Sequence, residues 1–378
     1  MLKTGTEHPV SGCQPVFPGL LAALAVLMLG GCAAKPLLPY TTDTTPLVLV
    51  PAVQSSEQDR RGRFREIFCA VLEARADSVP DYRSCQQALT AVGNEPPGSG
   101  KPVDLGQSKR RLLTVIVPGL GWDCFSDWLD MRHTVAEHID QFGYDMVILD
   151  VDGLSSSTNN ARQIRDAIMA MPREGTAPGL ILVGYSKGAS DILEAVVNYP
   201  EIQDRIAAVV SAAGAVGGSP LANDADQSQL NLLQYFPQSE CEPGDGGALE
   251  SLRPATRKAW LAEHTLPDGI AYYSLMAFPE PERISSVLRS SYRKLGKVDA
   301  RNDSQLIFYD QFIPGSTLVA YLNADHLAVA VPIARAHSTL GSTFVNRNDY
   351  PREALFEALL RFIEEDLRET ARGNPNSY

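Results

Sequence analysis

The sequence predicts an α/β fold in which helices flank a mostly parallel central sheet, with an irregular lid-like insertion and a small N-terminal helical hairpin. Two observations predict the sheet. From residue 111 onwards, strand-like apolar runs alternate with amphipathic helical segments. Each strand run is continuously rich in Val, Ile and Leu, as expected for parallel strands that helices cover on both faces. With 378 residues, the chain can form one large core with appendages.

Residues 1–31 are predicted to be a signal peptide. Lys3 precedes "PGLLAALAVLMLGGCAAK", whose apolar run is shorter than the about 20 residues that a membrane-spanning helix needs. The run ends in LGGC at residues 29–32, which resembles the lipobox of bacterial lipoproteins. The resemblance implies acylation of Cys32 and anchoring in the bacterial cell envelope, and Ala33 is similar to the outer-membrane pattern. A plain signal peptide and an uncleaved anchor are the alternatives.

Residues 32–55 are rich in Pro and Thr and are predicted to be a tether. Residues 56–98 follow as the helical hairpin. Its first helix carries an apolar face of Phe64, Ile67, Phe68, Val71 and Leu72, and "SCQQALTAV" forms the second helix. The linker "GNEPPGSGKP" leads into the main domain, residues 99–378.

Cysteine usage is consistent with export. Apart from Cys13 in the leader and Cys32, four cysteines remain, namely Cys69, Cys85, Cys124 and Cys241. Four thiols allow three pairings, of which we favour Cys69–Cys85 and Cys124–Cys241. Four unpaired buried cysteines are the alternative, which an oxidising compartment disfavours.

The main domain alternates strands and helices in chain order. Strands are predicted in "RLLTVIVPG", "YDMVILDVDG", "GLILVGYS", "RIAAVVSAAGAVGG", "GIAYYSLMAF" and "STLVAYLNADH". Helices are predicted in "WLDMRHTVAEHIDQFG", "NNARQIRDAIMAM", "SDILEAVV", "PERISSVLRSSYRKL" and "REALFEALLRFIEEDLRE". The alternation of strands and helices stops between about residues 219 and 265. This segment is polar and irregular, which predicts a lid-like insertion.

The third strand of the main domain leads into Gly184-Tyr185-Ser186-Lys187-Gly188, and a helix follows. In one interpretation Ser186 caps that helix through its hydroxyl. In the other, the segment is a nucleophile elbow, a turn so tight that only glycine fits two residues before and after the serine. The strand before it and the helix after it are the context that an elbow requires.

With this elbow on a central strand, the organisation from Arg111 to the C-terminus resembles the α/β-hydrolase superfamily, and its lipase- and esterase-like serine hydrolases in particular. The family orders its triad as nucleophile, acid and histidine. The resemblance implies that Ser186 is the nucleophile and His326 the base, because His326 alone among the histidines closes a strand, in "STLVAYLNADH". A surface pair of Asp325 and His326 is the alternative.

Two aspartates compete for the role of acid. Asn302-Asp303-Ser304-Gln305-Leu306 is similar to the N-D-G-x-V segment of lipase-like members, with serine in place of glycine. Asp310, in "YDQFIP", resembles the acid of other members; if "LIFYD" is extended, Asp310 ends a strand. We favour Asp303 and keep Asp310 as the alternative.

The oxyanion hole needs two N–H donors. The resemblance implies the amides of Lys187, directly after the nucleophile, and of Leu120, in the loop "VPGLGWDCF" after the first strand. An ordinary glycine turn fits that loop equally well. No C-x-x-C or H-x-x-H spacing is present, so we expect no metal site, and the resemblance implies no cofactor.

The resemblance implies a serine hydrolase that cleaves a carboxylic ester through an acyl-enzyme. At the cell envelope, a lipid or lipid-like ester is the expected substrate, beside small-molecule esters. The alternatives are an acyltransferase or thioesterase with the same triad, and a non-catalytic envelope lipoprotein on the same scaffold. A formal net charge of −12 argues against nucleic acid as a partner.

Overall fold

The computed structural model describes residues 58–124, 131–173, 179–225 and 243–373. The centre of this region is a sheet of six strands, all parallel, in the order β2-β1-β3-β4-β5-β6. The strands are β1 Leu113–Val117, β2 Asp145–Ile148, β3 Leu180–Tyr185, β4 Ile206–Ala212, β5 Ala271–Ala277 and β6 Thr317–Leu322. The predicted parallel sheet is therefore confirmed, and the strand that leads into the elbow lies near its middle.

Twelve α-helices accompany the strands within the described ranges. The first six are α1 Arg61–Ala74, α2 Cys85–Ala88, α3 Met131–Asp140, α4 Ser157–Ala170, α5 Lys187–Asn198 and α6 Ala248–Leu252. The others are α7 Pro254–Glu263, α8 Arg289–Leu295, α9 His326–Ala330, α10 Ile333–Ala336, α11 Ser338–Thr343 and α12 Arg352–Gly373. Five of these helices were not predicted, namely α6 and α7, which lie in the region expected to be irregular, and α9, α10 and α11.

The two faces of the sheet carry separate apolar cores. Helices α4 and α5 pack on one face through residues such as Ile164 and Ile192, which meet Leu182 of β3. Helices α3 and α12 pack on the other face, where Val183 of β3 belongs to the same core as Leu359. Alternate residues of β3 thus enter opposite cores, as the continuous apolar strand pattern requires.

The N-terminal hairpin packs as part of the main core. The ring of Phe64 in α1 lies 5.9 Å from that of Phe362 in α12, with the two planes nearly perpendicular. The backbone before α1 pairs with the edge strand β6, where Arg60 N donates to Leu318 O at 3.0 Å. The second arm of the hairpin is shorter than predicted, because α2 is a single turn of four residues. The hairpin therefore covers the β6 edge of the sheet.

Within the insertion predicted for about 219–265, the structure describes all residues except 226–242. Its helix α7 is attached to α5 by Arg257, which is fully buried and contacts Glu194 at 2.8 Å. The Arg257 guanidinium also donates to the carbonyl of Val216 at 3.2 Å. Because a broken buried ion pair leaves an uncompensated charge, this contact holds α7 firmly against the core.

Several predicted features lie outside the described residues. These are the signal peptide at 1–31, the whole tether at 32–55 with Cys32, and Cys241. Within the described ranges, no helix is long and apolar enough to cross a bilayer.

Candidate active site

Ser186 lies in a strained turn between β3 and α5. Its backbone has φ 54° and ψ −125°, a left-handed φ that is uncommon for a residue with a side chain. The two flanking glycines have no room for a side chain: a Cβ on Gly184 would overlap Ala189, and one on Gly188 would overlap the carbonyl of Val117. The Ser186 hydroxyl makes no capping hydrogen bond to α5. The geometry is therefore that of an elbow and not of a helix cap.

The hydroxyl of Ser186 instead meets His326. Ser186 Oγ lies 2.9 Å from His326 Nε2, and His326 Nδ1 lies 2.7 Å from Asp303 Oδ2. The other oxygen, Asp303 Oδ1, accepts the amides of Gln305 at 2.9 Å and Leu306 at 2.7 Å. Asp303 is completely buried, and these bonds fix the orientation of its carboxylate. Of the two candidate acids, the structure thus joins Asp303 to the histidine.

Asp310, the alternative acid, lies elsewhere. It belongs to a 3₁₀ turn, Phe308–Gln311, and therefore does not end a strand. Its Oδ1 atom lies 3.8 Å from Lys258 Nζ, and its carbonyl accepts the amide of Gly217 at 2.7 Å. Asp310 therefore contacts the insertion and the segment after β4.

The position after Asp303 explains why the family pattern has glycine there. Ser304 has φ 80°, in the left-handed region where a Cβ is disfavoured. The turn is held by Asn302, whose Oδ1 accepts the Ser304 amide at 3.0 Å. Ser304 thus adopts the left-handed backbone that glycine usually supplies at this position. The replacement of glycine by serine therefore does not displace Asp303.

His326 is the first residue of α9 and is buried, so the alternative of an exposed Asp325–His326 pair is wrong. Asp325 caps this helix by accepting the Ala328 amide at 2.9 Å, and its other oxygen accepts the Ser285 amide at 2.8 Å. Burial, together with the charge of Asp303, raises the pKa of Asp325. Asp325 thus fixes the start of the helix that carries His326.

Sequence reasoning missed the roles of Asp325 and Tyr185 beside His326. The Tyr185 hydroxyl donates to the carbonyl of His326 at 2.7 Å. An aspartate directly before an apolar helical turn is a typical N-cap and could have indicated α9. No local pattern indicates the tyrosine contact, because 141 residues separate its partners.

The two predicted oxyanion donors lie next to the elbow. A Cβ on Gly119 would lie 2.7 Å from Ser186 Cβ, so the loop after β1 runs directly against the serine. Within the described residues, the next amide, that of Leu120, donates no hydrogen bond. The Lys187 amide opens α5, where a helix has no acceptor of its own for its N–H groups. Both amides are therefore available beside Ser186.

The side chain of Lys187 points away from this chemistry. It is buried and lies 2.8 Å from Asp191 Oδ1, one turn further along α5. Asn160 of α4 donates to the same carboxylate at 2.8 Å. This buried pair ties the first turn of α5, which supplies the Lys187 amide, to α4.

The predicted disulfide Cys69–Cys85 is confirmed and joins α1 to α2, with the Cα atoms 5.1 Å apart. Cys124 is also disulfide-bonded. Because Cys241 lies outside the described residues, the pairing Cys124–Cys241 stays a prediction. Over the described part of the chain, no cluster of three or more His, Cys, Asp or Glu could hold a metal ion.

No family model and no curated protein sequence matches this chain. Among solved structures, a metagenomic carboxyl esterase is 42% identical, with a TM-score of 0.80 over 85% of this chain and 97% of that esterase. The mature form of a Bacillus licheniformis lipase is 19% identical, with a TM-score of 0.48 over 64% of this chain and 95% of the lipase. Lipase 1 from Pelosinus fermentans is 11% identical, with a TM-score of 0.46 over 68% and 98%. The similarity to the metagenomic carboxyl esterase therefore extends over most of both chains, in sequence as well as in structure.

Proposed function

Because the chain belongs to the α/β-hydrolase superfamily and is a carboxylic ester hydrolase, we propose that Ser186 is its nucleophile. His326 is the general base, and Asp303 orients the histidine. The observation that carries this proposal is the hydrogen-bonded series from Ser186 Oγ through His326 to Asp303, at 2.9 and 2.7 Å. The left-handed backbone of Ser186, which holds the hydroxyl above the start of α5, supports the same roles.

The proposed reaction has two halves. In the first, His326 Nε2 takes the proton of Ser186 Oγ as that oxygen attacks the ester carbonyl carbon. The Nδ1–H group donates to Asp303, which stabilises the imidazolium. The imidazolium then gives its proton to the leaving alcohol, and an acyl-enzyme remains. In the second half, water attacks the acyl group with the same histidine as base, and Ser186 is regenerated.

The amides of Leu120 and Lys187 are proposed to form the oxyanion hole. Both flank Ser186, and neither amide is used by a regular element, so each can donate to the negative oxygen of the tetrahedral intermediate. Removing one such donor typically lowers kcat by about 10²–10³-fold. Because the donors are backbone N–H groups, substitution of the Leu120 or Lys187 side chain does not remove them. Such a substitution only shows how far the side chain holds the loop or the helix in place.

The proposal is tested by comparing two serines that precede helices. Ser186→Ala should fold normally but lose about 10⁶-fold in kcat toward p-nitrophenyl esters, and it should not react with a fluorophosphonate probe. Ser156→Ala is the matched control, since Ser156 caps α4 by accepting the Asn159 amide at 3.2 Å. It should lose about 0.5–2 kcal/mol of stability and keep its hydrolysis. Wild-type hydrolysis by folded Ser186→Ala would show that Ser186 is not the nucleophile.

We further propose that the enzyme acts at the bacterial cell envelope on a lipid or lipid-like ester. This rests on the LGGC sequence at residues 29–32 and the apolar run before it. Cys32→Ala should abolish incorporation of labelled palmitate and release the protein from membranes, whereas Cys13→Ala should change neither. Unchanged labelling of the Cys32 variant would contradict the anchor and leave the esterase proposal standing.

A further inference from the structure

A small apolar cluster joins the insertion to the segments that carry the proposed site. Its buried members come from four separate parts of the chain, namely Ala215, Ala222, Leu252 and Leu306, and Leu120 packs against them. Leu252 is the last residue of α6, and Ala222 lies near the start of the insertion. We refer to these five residues as the insertion cluster.

Three members of the insertion cluster are connected through their backbone to the proposed site. The Ala215 amide donates to the carbonyl of Ser186 at 2.7 Å. The Leu306 amide donates to Asp303 Oδ1, also at 2.7 Å. Leu120 supplies one of the two proposed oxyanion amides. The side chains that pack together here therefore belong to residues whose backbones hold the nucleophile and the acid, or donate to the oxyanion.

The face of α6 that carries Leu252 packs with the oxyanion loop at a second point. Ala248 precedes Leu252 by four residues and so lies on the same face of the helix. It is buried in another small apolar cluster with Cys124 and Leu154, and Leu120 packs against that cluster as well. Leu120 thus packs against two clusters, each of which contains a residue of α6.

Hydrogen bonds hold α6 in place at both ends. At its start, Asp245 Oδ1 accepts the amide of Gly247 at 2.8 Å and that of Ser156, which caps α4, at 2.7 Å. At its end, the Leu252 carbonyl accepts the Ser219 amide at 2.8 Å. An apolar side chain on a helix that is fixed in this way can hold its neighbours in one position.

On the premise that the proposed function holds, we propose that Leu252 is a positioning residue for the reaction. It reaches no reacting atom of the site and acts through the residues that pack around it. Because a close-packed core transmits a change of volume to its neighbours, loss of this side chain will shift the loop of Leu120 and the turn that orients Asp303. Oxyanion donors must be placed to within about 0.5 Å, so such a shift slows the reaction more than it weakens substrate binding.

Leu252→Ala tests this role, since it leaves a cavity in the insertion cluster. We expect kcat for p-nitrophenyl acetate to fall by about tenfold or more, with KM within about twofold of wild type, because acylation and deacylation both use the oxyanion hole. Phenylboronic acid forms a tetrahedral adduct with the nucleophile and places an oxygen where the oxyanion develops. Its affinity should fall in parallel with kcat. Loss of stability alone would change neither quantity in the folded variant.

Two conservative variants of the same residue support the test. Leu252→Met keeps the volume of the side chain and should restore wild-type kcat. Leu252→Val is a smaller truncation and should show a smaller loss of kcat, so it keeps the proposal falsifiable if Leu252→Ala does not fold.

A double variant tests whether Leu252 acts through Leu120. Leu120→Ala empties the other side of the same packing contact. If the two residues act together, Leu120→Ala combined with Leu252→Ala should lose little more kcat than either single variant. Losses of kcat that multiply in the double variant would show that Leu252 does not act through Leu120.

Leu72→Ala is the matched control. Leu72 is an equally large buried residue, but it lies in α1 and belongs to the core on the α3/α12 face of the sheet. Its truncation should lower the melting temperature at least as much as Leu252→Ala does. It should leave kcat and the affinity for phenylboronic acid within about twofold of wild type.

The outcomes separate the role of Leu252 from the proposed function. The positioning role is overturned, while ester hydrolysis stands, if folded Leu252→Ala keeps wild-type kcat and boronic acid affinity, or if Leu72→Ala loses as much. A rise in KM at unchanged kcat would also overturn it, because Leu252 would then contribute to substrate binding. If Ser186→Ala still hydrolyses esters, the proposed function fails, whatever the Leu252 variants do.

Discussion

Replacement of Asp303 by Asn exchanges one carboxylate oxygen for an NH₂ group, and the surrounding backbone decides which one. Asp303 Oδ1 accepts two amides, those of Gln305 at 2.9 Å and Leu306 at 2.7 Å. An NH₂ group cannot accept them, and each buried donor left without a partner costs about 1–3 kcal/mol. The amide oxygen will therefore keep this place, and the NH₂ group will face His326 Nδ1.

This orientation gives the histidine the wrong tautomer. An NH₂ group facing Nδ1 requires Nδ1 to accept, so the ring proton moves to Nε2, which lies 2.9 Å from Ser186 Oγ. A protonated Nε2 cannot take the serine proton. Where a triad aspartate is exchanged for Asn in this way, kcat falls by about 10⁴-fold, which corresponds to about 5 kcal/mol of transition-state stabilisation. We expect a loss of this size.

The assay is steady-state hydrolysis of a p-nitrophenyl ester, with a thermal melt to show that Asp303→Asn is folded. Asp310→Asn is the matched control, a second fully buried aspartate that lies 3.8 Å from Lys258 and not at the histidine. It should lose stability but keep kcat within about tenfold of wild type. The reasoning is refuted if folded Asp303→Asn keeps more than about a tenth of wild-type kcat, or if Asp310→Asn is the more damaging change.

Three further predictions concern stability. Ser304→Gly relieves the backbone at φ 80° and should raise the free energy of unfolding by about 0.5–1 kcal/mol, whereas Ser304→Ala, which keeps the strain, should not; urea melts compare them. Although burial opposes it, hydrogen bonds from Arg63, Gly100 and Ser99 lower the pKa of Glu66 from 4.5 to about 2. Their stabilisation is therefore complete above about pH 4.5 and is lost as the pH falls toward 2, so Glu66→Gln should have a flatter acid limb in its Tm–pH curve; an unchanged limb would refute this. Replacing both Cys69 and Cys85 by Ser should cost about 3 kcal/mol, since the bridge closes a loop with a sequence separation of 16; a wild-type urea midpoint would contradict it.

The sequence by itself determined the features that depend on neighbouring residues. Continuous apolar runs identified all six parallel strands. The inner strands β1, β3 and β4 are buried along nearly their whole length, as strands covered on both faces must be, whereas Asp145 and Val147 of the edge strand β2 are exposed. The spacing of Gly184 and Gly188 around Ser186 identified the elbow for a similarly local reason. Each glycine is required by the backbone that it meets within this turn or on the adjoining strand β1.

Only the tertiary structure decided which carboxylate meets the histidine. Asp303 and Asp310 both precede β6 at plausible distances along the chain, and the similarity of residues 302–306 to the N-D-G-x-V segment favoured Asp303 without excluding Asp310. The position of Asp303 depends on the turn at Ser304, which has a positive φ. The sequence does not indicate this φ, because a serine stands where glycine is usual. The contact of Tyr185 with His326 joins residues 141 apart. Such contacts follow from the packing of β3, α9 and the loop before β6 against one another, and periodicity along a chain records only which face of each element is buried, not which partner it meets.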